Sequence, residues 1–182
     1  RLAEIAPADA ALFRAHAADF EKTLDEHMFG AEWVRTFPIE KLWAMTEDGT
    51  IAAFLADPAN QGTAGGWIAA MQPLRGQEII TYHRSWVYFA HRFGVGIAAE
   101  IEPKPGVPPS GAHLRELADR ARQRGVQLIL QEPFYSRKAA DRLARETGAR
   151  VVVVANSVGG QPEATDYLTL MDLIVRQVTA TK

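Results

Sequence analysis

From residue 78 onward the chain alternates short apolar runs with amphipathic ones, and this alternation constrains its fold more than any other feature. Ile79-Ile-Thr-Tyr82 consists of strand formers. Trp86, Phe89, Ala90 and Phe93 then recur at helical spacing, and Gly94 occupies the place of a left-handed helix cap. A strand near Val95–Ile101 leads into the Pro-rich loop Glu102–Ser110, with Ser110 placed to cap a helix that buries Leu114, Leu117, Ala118 and Ala121 and stops at Gly125. Val126–Gln131 reads as the next strand, and Ser136 as the cap of a helix running through Leu143 to Gly148. Val151–Ala155 is continuously apolar, the pattern of a parallel strand covered on both faces. A last helix carries Tyr167, Leu170, Met171, Ile174 and Val178. Repeated strand–helix units of this kind imply a parallel sheet with helices packed on it. The expected class is α/β: a four-stranded parallel sheet flanked by helices, preceded by a long helix and a small helical insertion.

The residues before this region read differently. Pro7 and Asp9 suit a first helical turn, and Phe13, Ala17, Phe20, Leu24 and Met28 form an apolar stripe at steps of three and four, closed by Gly30. Beyond Pro38, short helices are expected around Ile39–Met45, Ile51–Leu55 and Trp67–Met71. Turns at Asp48-Gly49 and Asp57-Pro58 separate them, and Asn60–Gly66 reads as a flexible connection. The expected divisions are 1–30, 31–76 and 77–182.

Composition narrows the functional classes. A net charge of −2 with both signs interspersed gives no nucleic-acid-binding surface. The absence of Cys excludes disulfides, thiolate metal sites and Cys nucleophiles. The chain begins at Arg1 rather than Met, which fits either a removed leader or a piece of a longer protein.

Parallel strands end on one side, so the residues just past them should converge there: His83, Glu102, Glu132 and Asn156. Glu102 reads as the start of an exposed Pro-rich loop. Glu132 is either a solvated or helix-capping carboxylate or a site group, and Asn156 is either a turn residue or a ligand. One imidazole with carboxylates at such an edge suits a hard-to-borderline metal ion. Two readings without a metal stand beside it. One is a hydrolase-like enzyme with His83 as general base, oriented by Glu132 or Asp166; the other is an α/β binding module whose cleft is lined by Trp86, Tyr88, Phe134 and Tyr135. Against an enzyme, the chain has no Gly-rich phosphate loop after its first strand and no G-x-S-x-G elbow.

Several segments, taken in order, resemble a known family: Ile79-Ile-Thr-Tyr-His83, the Arg92-Phe-Gly94 helix end, Gln131-Glu-Pro-Phe-Tyr135, Thr147-Gly-Ala-Arg-Val151 and Asp166-Tyr-Leu168. Together they are similar to the carboxyl-terminal lobe of the zinc/manganese type of ABC-transporter substrate-binding protein. The helix at 8–28 resembles the helix that links the two lobes in that family, and 31–75 resembles an added insertion. The resemblance implies an extracytoplasmic receptor, not an enzyme, that carries zinc or manganese to a membrane permease. It also implies a metal held between this lobe and an amino-terminal lobe, with no segment here matching the latter. His83 corresponds to the first ligand of the carboxyl-terminal lobe, and Asn156 stands where the family usually has an Asp. A ligand set of His without Cys and without that Asp leans toward zinc. Arg84, next to such a site, is expected to turn away toward a carboxylate.

Overall fold

The computed structural model describes residues 1–60, 62–104 and 106–180; Gln61 of the expected connection and Pro105 of the Pro-rich loop lie outside them. The chain divides into two compact units, Arg1–Ala69 and Ala70–Lys182.

In the first unit, α1 (Leu2–Ile5) and a 3₁₀ turn at Pro7–Asp9 precede α2 (Ala10–Phe29), followed by α3 (Ala31–Thr36), α4 (Ile39–Glu47), α5 (Ile51–Ala56) and α6 (Gly66–Ala70). Only the end of α2, Met28 and Phe29, is buried; Phe20 and Leu12 of this helix are exposed. The packing centre is aromatic: Trp33, Phe37 and Phe54 meet edge to face at centroid distances of 5.1–5.8 Å. The Trp33 indole N–H donates to Thr63 Oγ1 at 3.0 Å and that of Trp43 to Asp25 Oδ1 at 2.7 Å. The expected flexible connection is instead tied down. Asn60 is buried, its amide donates to the Phe54 carbonyl at 3.0 Å, and a Cβ on Gly66 would collide with the carbonyl oxygen of His27. That close backbone approach admits only Gly.

The second unit runs β1 (Glu78–Thr81), a 3₁₀ turn (Arg84–Trp86), α7 (Val87–Phe93), β2 (Gly96–Glu100), α8 (Gly111–Arg124), β3 (Leu128–Gln131), α9 (Lys138–Thr147), β4 (Arg150–Val153) and α10 (Tyr167–Thr179). The four strands form one parallel sheet in the order β2-β1-β3-β4. β1 and β3 are therefore central, and β3 is buried along its whole length. The Val-rich β4 lies at an edge with Arg150, Val151 and Val153 only half-buried, which corrects the expectation of a strand covered on both faces. Its apolar run continues past the ladder into buried Val154 and Ala155, so an apolar run did not mean a central strand.

One face of the sheet carries Ile80 and Ile129 into a cluster with Leu114, Leu117 and Ala121 of α8 and Ala140 and Leu143 of α9. The helix signals are mostly local. Ser110 Oγ accepts the His113 N–H at 3.1 Å, Gly94 takes the left-handed conformation after α7, and Asp166 and Thr169 form a reciprocal capping box on α10. The expected Ser136 cap is displaced: α9 begins at Lys138 with Arg137 as its cap residue, and Ser136 Oγ receives only a 3.4 Å contact from the Lys138 N–H.

Candidate metal site

The strand order places a topological switch point between β1 and β3. From β1 the chain steps outward to β2, while from β3 it steps the other way to β4. Crevices at the carboxyl edge of such points are where α/β sheets bind ligands. His83 follows β1 and Glu132 follows β3, so they flank the switch point; Glu102 follows β2 and Asn156 follows β4.

His83 keeps an extended backbone, φ −130°, and opens the 3₁₀ turn into α7. Beside it, the β1–β2 ladder contains a bulge. Ile79 pairs with Ile97 but Ile80 with Ala99, leaving Ala98 unmatched. Arg120 donates to the Ala98 carbonyl at 3.3 Å. One extra residue exchanges which side chains of β2 point to each face beyond it. The shifted ladder continues past the strands through Ile101 N–H to Thr81 O and Glu102 N–H to Tyr82 O, at 2.9 and 3.0 Å. Glu102 is thereby brought alongside the residue before His83, and its Oε1 lies 3.9 Å from His83 Nε2. Both residues are buried, which corrects the expectation that Glu102 starts an exposed loop. Glu102 Oε1 also accepts the Gly106 N–H at 2.7 Å.

Two tyrosines connect this pair to Glu132. The rings of Tyr82 and Tyr135 stack at 4.4 Å and 8°, and the Tyr135 ring meets the His83 ring edge-on at 4.8 Å. Burial, a hydrogen bond to Glu102 and the nearby negative charges of Glu102 and Glu132 push the Tyr82 hydroxyl up to about 12. Burial and the same two carboxylates also raise the Tyr135 hydroxyl. Glu132 has no solvent exposure. Its Oε1 accepts Asn156 Nδ2 at 3.3 Å, and its Oε2 is buried without a partner among the described residues. Asn156 itself is exposed. Arg84 pairs with a carboxylate, its Nε 3.3 Å from Glu100 Oε1, while still lining the pocket beside His83.

The residues expected at the edge thus form two pairs, His83 with Glu102 and Glu132 with Asn156. Among the described residues no three His, Cys, Asp or Glu side chains gather closely enough to hold an ion together. A pocket of about 280 Å³ opens on the His83 side, lined by His83, Arg84, Ser85, Pro103 and Tyr135. The geometry adds Tyr82 to the residues expected here, brings Tyr135, expected only on the wall of a metal-free cleft, against His83, and buries Glu102, expected at this edge as the start of an exposed loop. Of these, Glu102 had one local signal: it precedes Pro103, and residues before proline favour extended backbone that prolongs a strand.

Among the described residues no helix is long and apolar enough to cross a membrane. A family profile described as "ZnuA: Zinc-uptake complex component A periplasmic" matches residues 65–181. The high-affinity zinc uptake system protein ZnuA of Bacillus subtilis (strain 168) is 32% identical over 107 residues, covering 58% of this chain and 34% of that protein. The protein of the same name from Brucella abortus (strain 2308) is 27% identical over 86 residues, covering 47% of this chain and 26% of that protein. The match therefore spans about a quarter to a third of these curated relatives. A crystal structure of ZnuA shares the fold with a TM-score of 0.60 at 21% identity, covering 98% of this chain and 52% of that one. With more than half of its sequence matched by the family profile, on a lobe that shares the fold of a solved ZnuA, this chain belongs to the ZnuA family.

Proposed function

We propose that this chain is the ion-binding lobe of an extracytoplasmic receptor that delivers a transition-metal ion to the membrane permease of an ABC transporter. Zinc is the preferred cargo, and manganese is the second ion its donors suit. Residues 77–182 form the lobe, 1–30 the linking helix and 31–76 an insertion. His83 supplies an imidazole ligand, with Glu132 and Asn156 as the oxygen donors of the same edge. The remaining donors come from a second lobe outside this sequence. The observation that carries the reading is His83 itself, an imidazole on a pocket wall at the switch-point edge of a lobe whose sequence matches the family profile.

The chemistry suits a carrier. A receptor must release its ion, and neutral imidazole with oxygen donors at an open edge permits release that a closed thiolate cage would prevent. Exposed apolar side chains follow each strand in the chain: Tyr88 after β1, Val107 after β2, Phe134 after β3 and Val158 after β4. Exposed apolar groups of this kind are what a covering lobe would bury. Calorimetric titration of the chain with zinc and with manganese tests the proposal. Weak binding that favours zinc and disappears in His83→Ala is expected, and binding indifferent to His83→Ala would overturn it.

A further inference from the structure

We infer that Tyr135, backed by Tyr82, is a positioning residue of this site: the two stacked rings close one flank of His83 and hold its imidazole on the pocket wall before an ion arrives. The inference rests on the reading of His83 as a metal ligand.

The geometry of the three rings leads to it. Tyr82 and Tyr135 are nearly parallel, 8° apart with centroids at 4.4 Å, and the His83 ring lies 5.2 Å from the first and 4.8 Å from the second. Were the imidazole stacked on top of the pair, its distance to the far ring would approach the sum of the other two. It lies alongside instead, inclined to both ring planes at steep angles of 74° and 66°. Two rings therefore close one flank of His83 at once, while His83 and Tyr135 both line the pocket. Among the described residues no hydrogen bond holds the imidazole, and Glu102 Oε1 is 3.9 Å away, so ring packing sets its orientation.

The wall is itself anchored to both central strands. The Tyr82 N–H donates to the Leu130 carbonyl at 2.9 Å, and its ring belongs to the buried cluster that includes Leu114, Leu117 and Leu143. The Tyr135 carbonyl accepts the side-chain amide of Gln131 at 2.9 Å, and Gln131 is fully buried at the end of β3. A ligand locked by packing of this kind is ordered in advance of binding. An ion that needs one imidazole orientation binds more weakly in proportion to the time the ring spends in others.

The test uses the 182-residue chain with zinc as the probe. Calorimetry should show Tyr135→Leu weakening zinc binding by about 2- to 10-fold, the worth of one edge-on ring contact. Tyr135→Phe keeps the ring and should bind zinc as the wild type does. In the metal-free wild-type chain, the His83 ring protons, assigned by their loss in His83→Ala, should give one sharp set of NMR resonances displaced by the neighbouring rings. Tyr135→Leu should move them toward the positions of an exposed histidine. Denaturant melts show whether Tyr135→Leu is folded, and if it is not, the wild-type ring spectrum decides alone. Wild-type affinity in folded Tyr135→Leu, an equal loss in Tyr135→Phe, or an undisplaced His83 spectrum in the wild type overturns the inference. Loss of binding in His83→Ala alongside full binding in Tyr135→Leu overturns this inference alone. A wild-type chain that binds no zinc, or a His83→Ala chain that binds it fully, overturns the metal reading as well.

Discussion

The two edges of the sheet differ in a way that separates space from chemistry. At the amino edge lies the larger hollow, about 540 Å³, walled by Leu74, Gln77, Val126, Leu128, Arg150 and Val178 among others. Its one charged group is occupied: Arg150 donates to the Gln177 and Val178 carbonyls at 3.0 and 2.7 Å, satisfying the end of α10. At the carboxyl edge the pocket is about half that volume, yet it borders His83, with Glu102, Glu132 and two raised tyrosine hydroxyls close by. A void gains a function from the groups that face it, and in a parallel sheet the loops that bring such groups are at the carboxyl edge.

The comparison can be broken most directly with His83→Ala, which should reduce zinc binding by more than about 100-fold, beyond the usual loss of a mere supporting partner. Arg150→Ala at the other edge should leave zinc affinity unchanged. Equal effects on zinc binding would erase the distinction between the edges.

Alkaline pH probes the carboxyl edge next. The Tyr82 hydroxyl is raised to about 12 in the folded chain, mainly by burial and then by Glu102, while in the unfolded chain it ionises near 10. The folded state thus prefers the protonated phenol. Its stabilisation is complete below pH ~10 and is lost as pH rises from about 10 through 12, amounting to about 2–3 kcal/mol. Denaturant melts across this range should show the decline. Tyr82→Phe should flatten it, leaving a smaller slope from Tyr135, and an unchanged slope would remove Tyr82 from the account.

Arg150→Ala should in turn cost about 1–3 kcal/mol, because it leaves two carbonyls at the end of α10 without their charged donor. Chemical denaturation measures this, and the loss should appear without any change at the carboxyl edge.

The smallest expected effect is at Asn156. Its amide donates to the buried Glu132, a role that a carboxylate cannot fill. Asn156→Asp should therefore destabilise the metal-free chain by about 1 kcal/mol through like-charge contact, and tighten zinc binding severalfold above about pH 5, where the new carboxylate is ionised. Paired melts and zinc titrations of the two forms would show opposite signs. Matching signs would mean that Asn156 only shapes its loop.

Much of this protein was determined locally and could be read from the residues alone. The strand–helix alternation from 78 onward, the Ser110 cap, the left-handed Gly94, Gly125 and Gly148, and the convergence of strand ends at one edge all follow from short-range sterics, hydrogen bonding and periodicity. What the tertiary structure alone decided depends on which strands pair and in what register. Strand order is a non-local property, so the Val-rich β4 could not be recognised as an edge strand from its apolar run. Nothing in Gly96-Ile-Ala-Ala-Glu100 marks which of its two alanines is the extra residue, yet the bulge at Ala98 changes which side chains beyond it share a face. That single shift carried Glu102 out of an expected solvent-exposed loop and into burial beside His83.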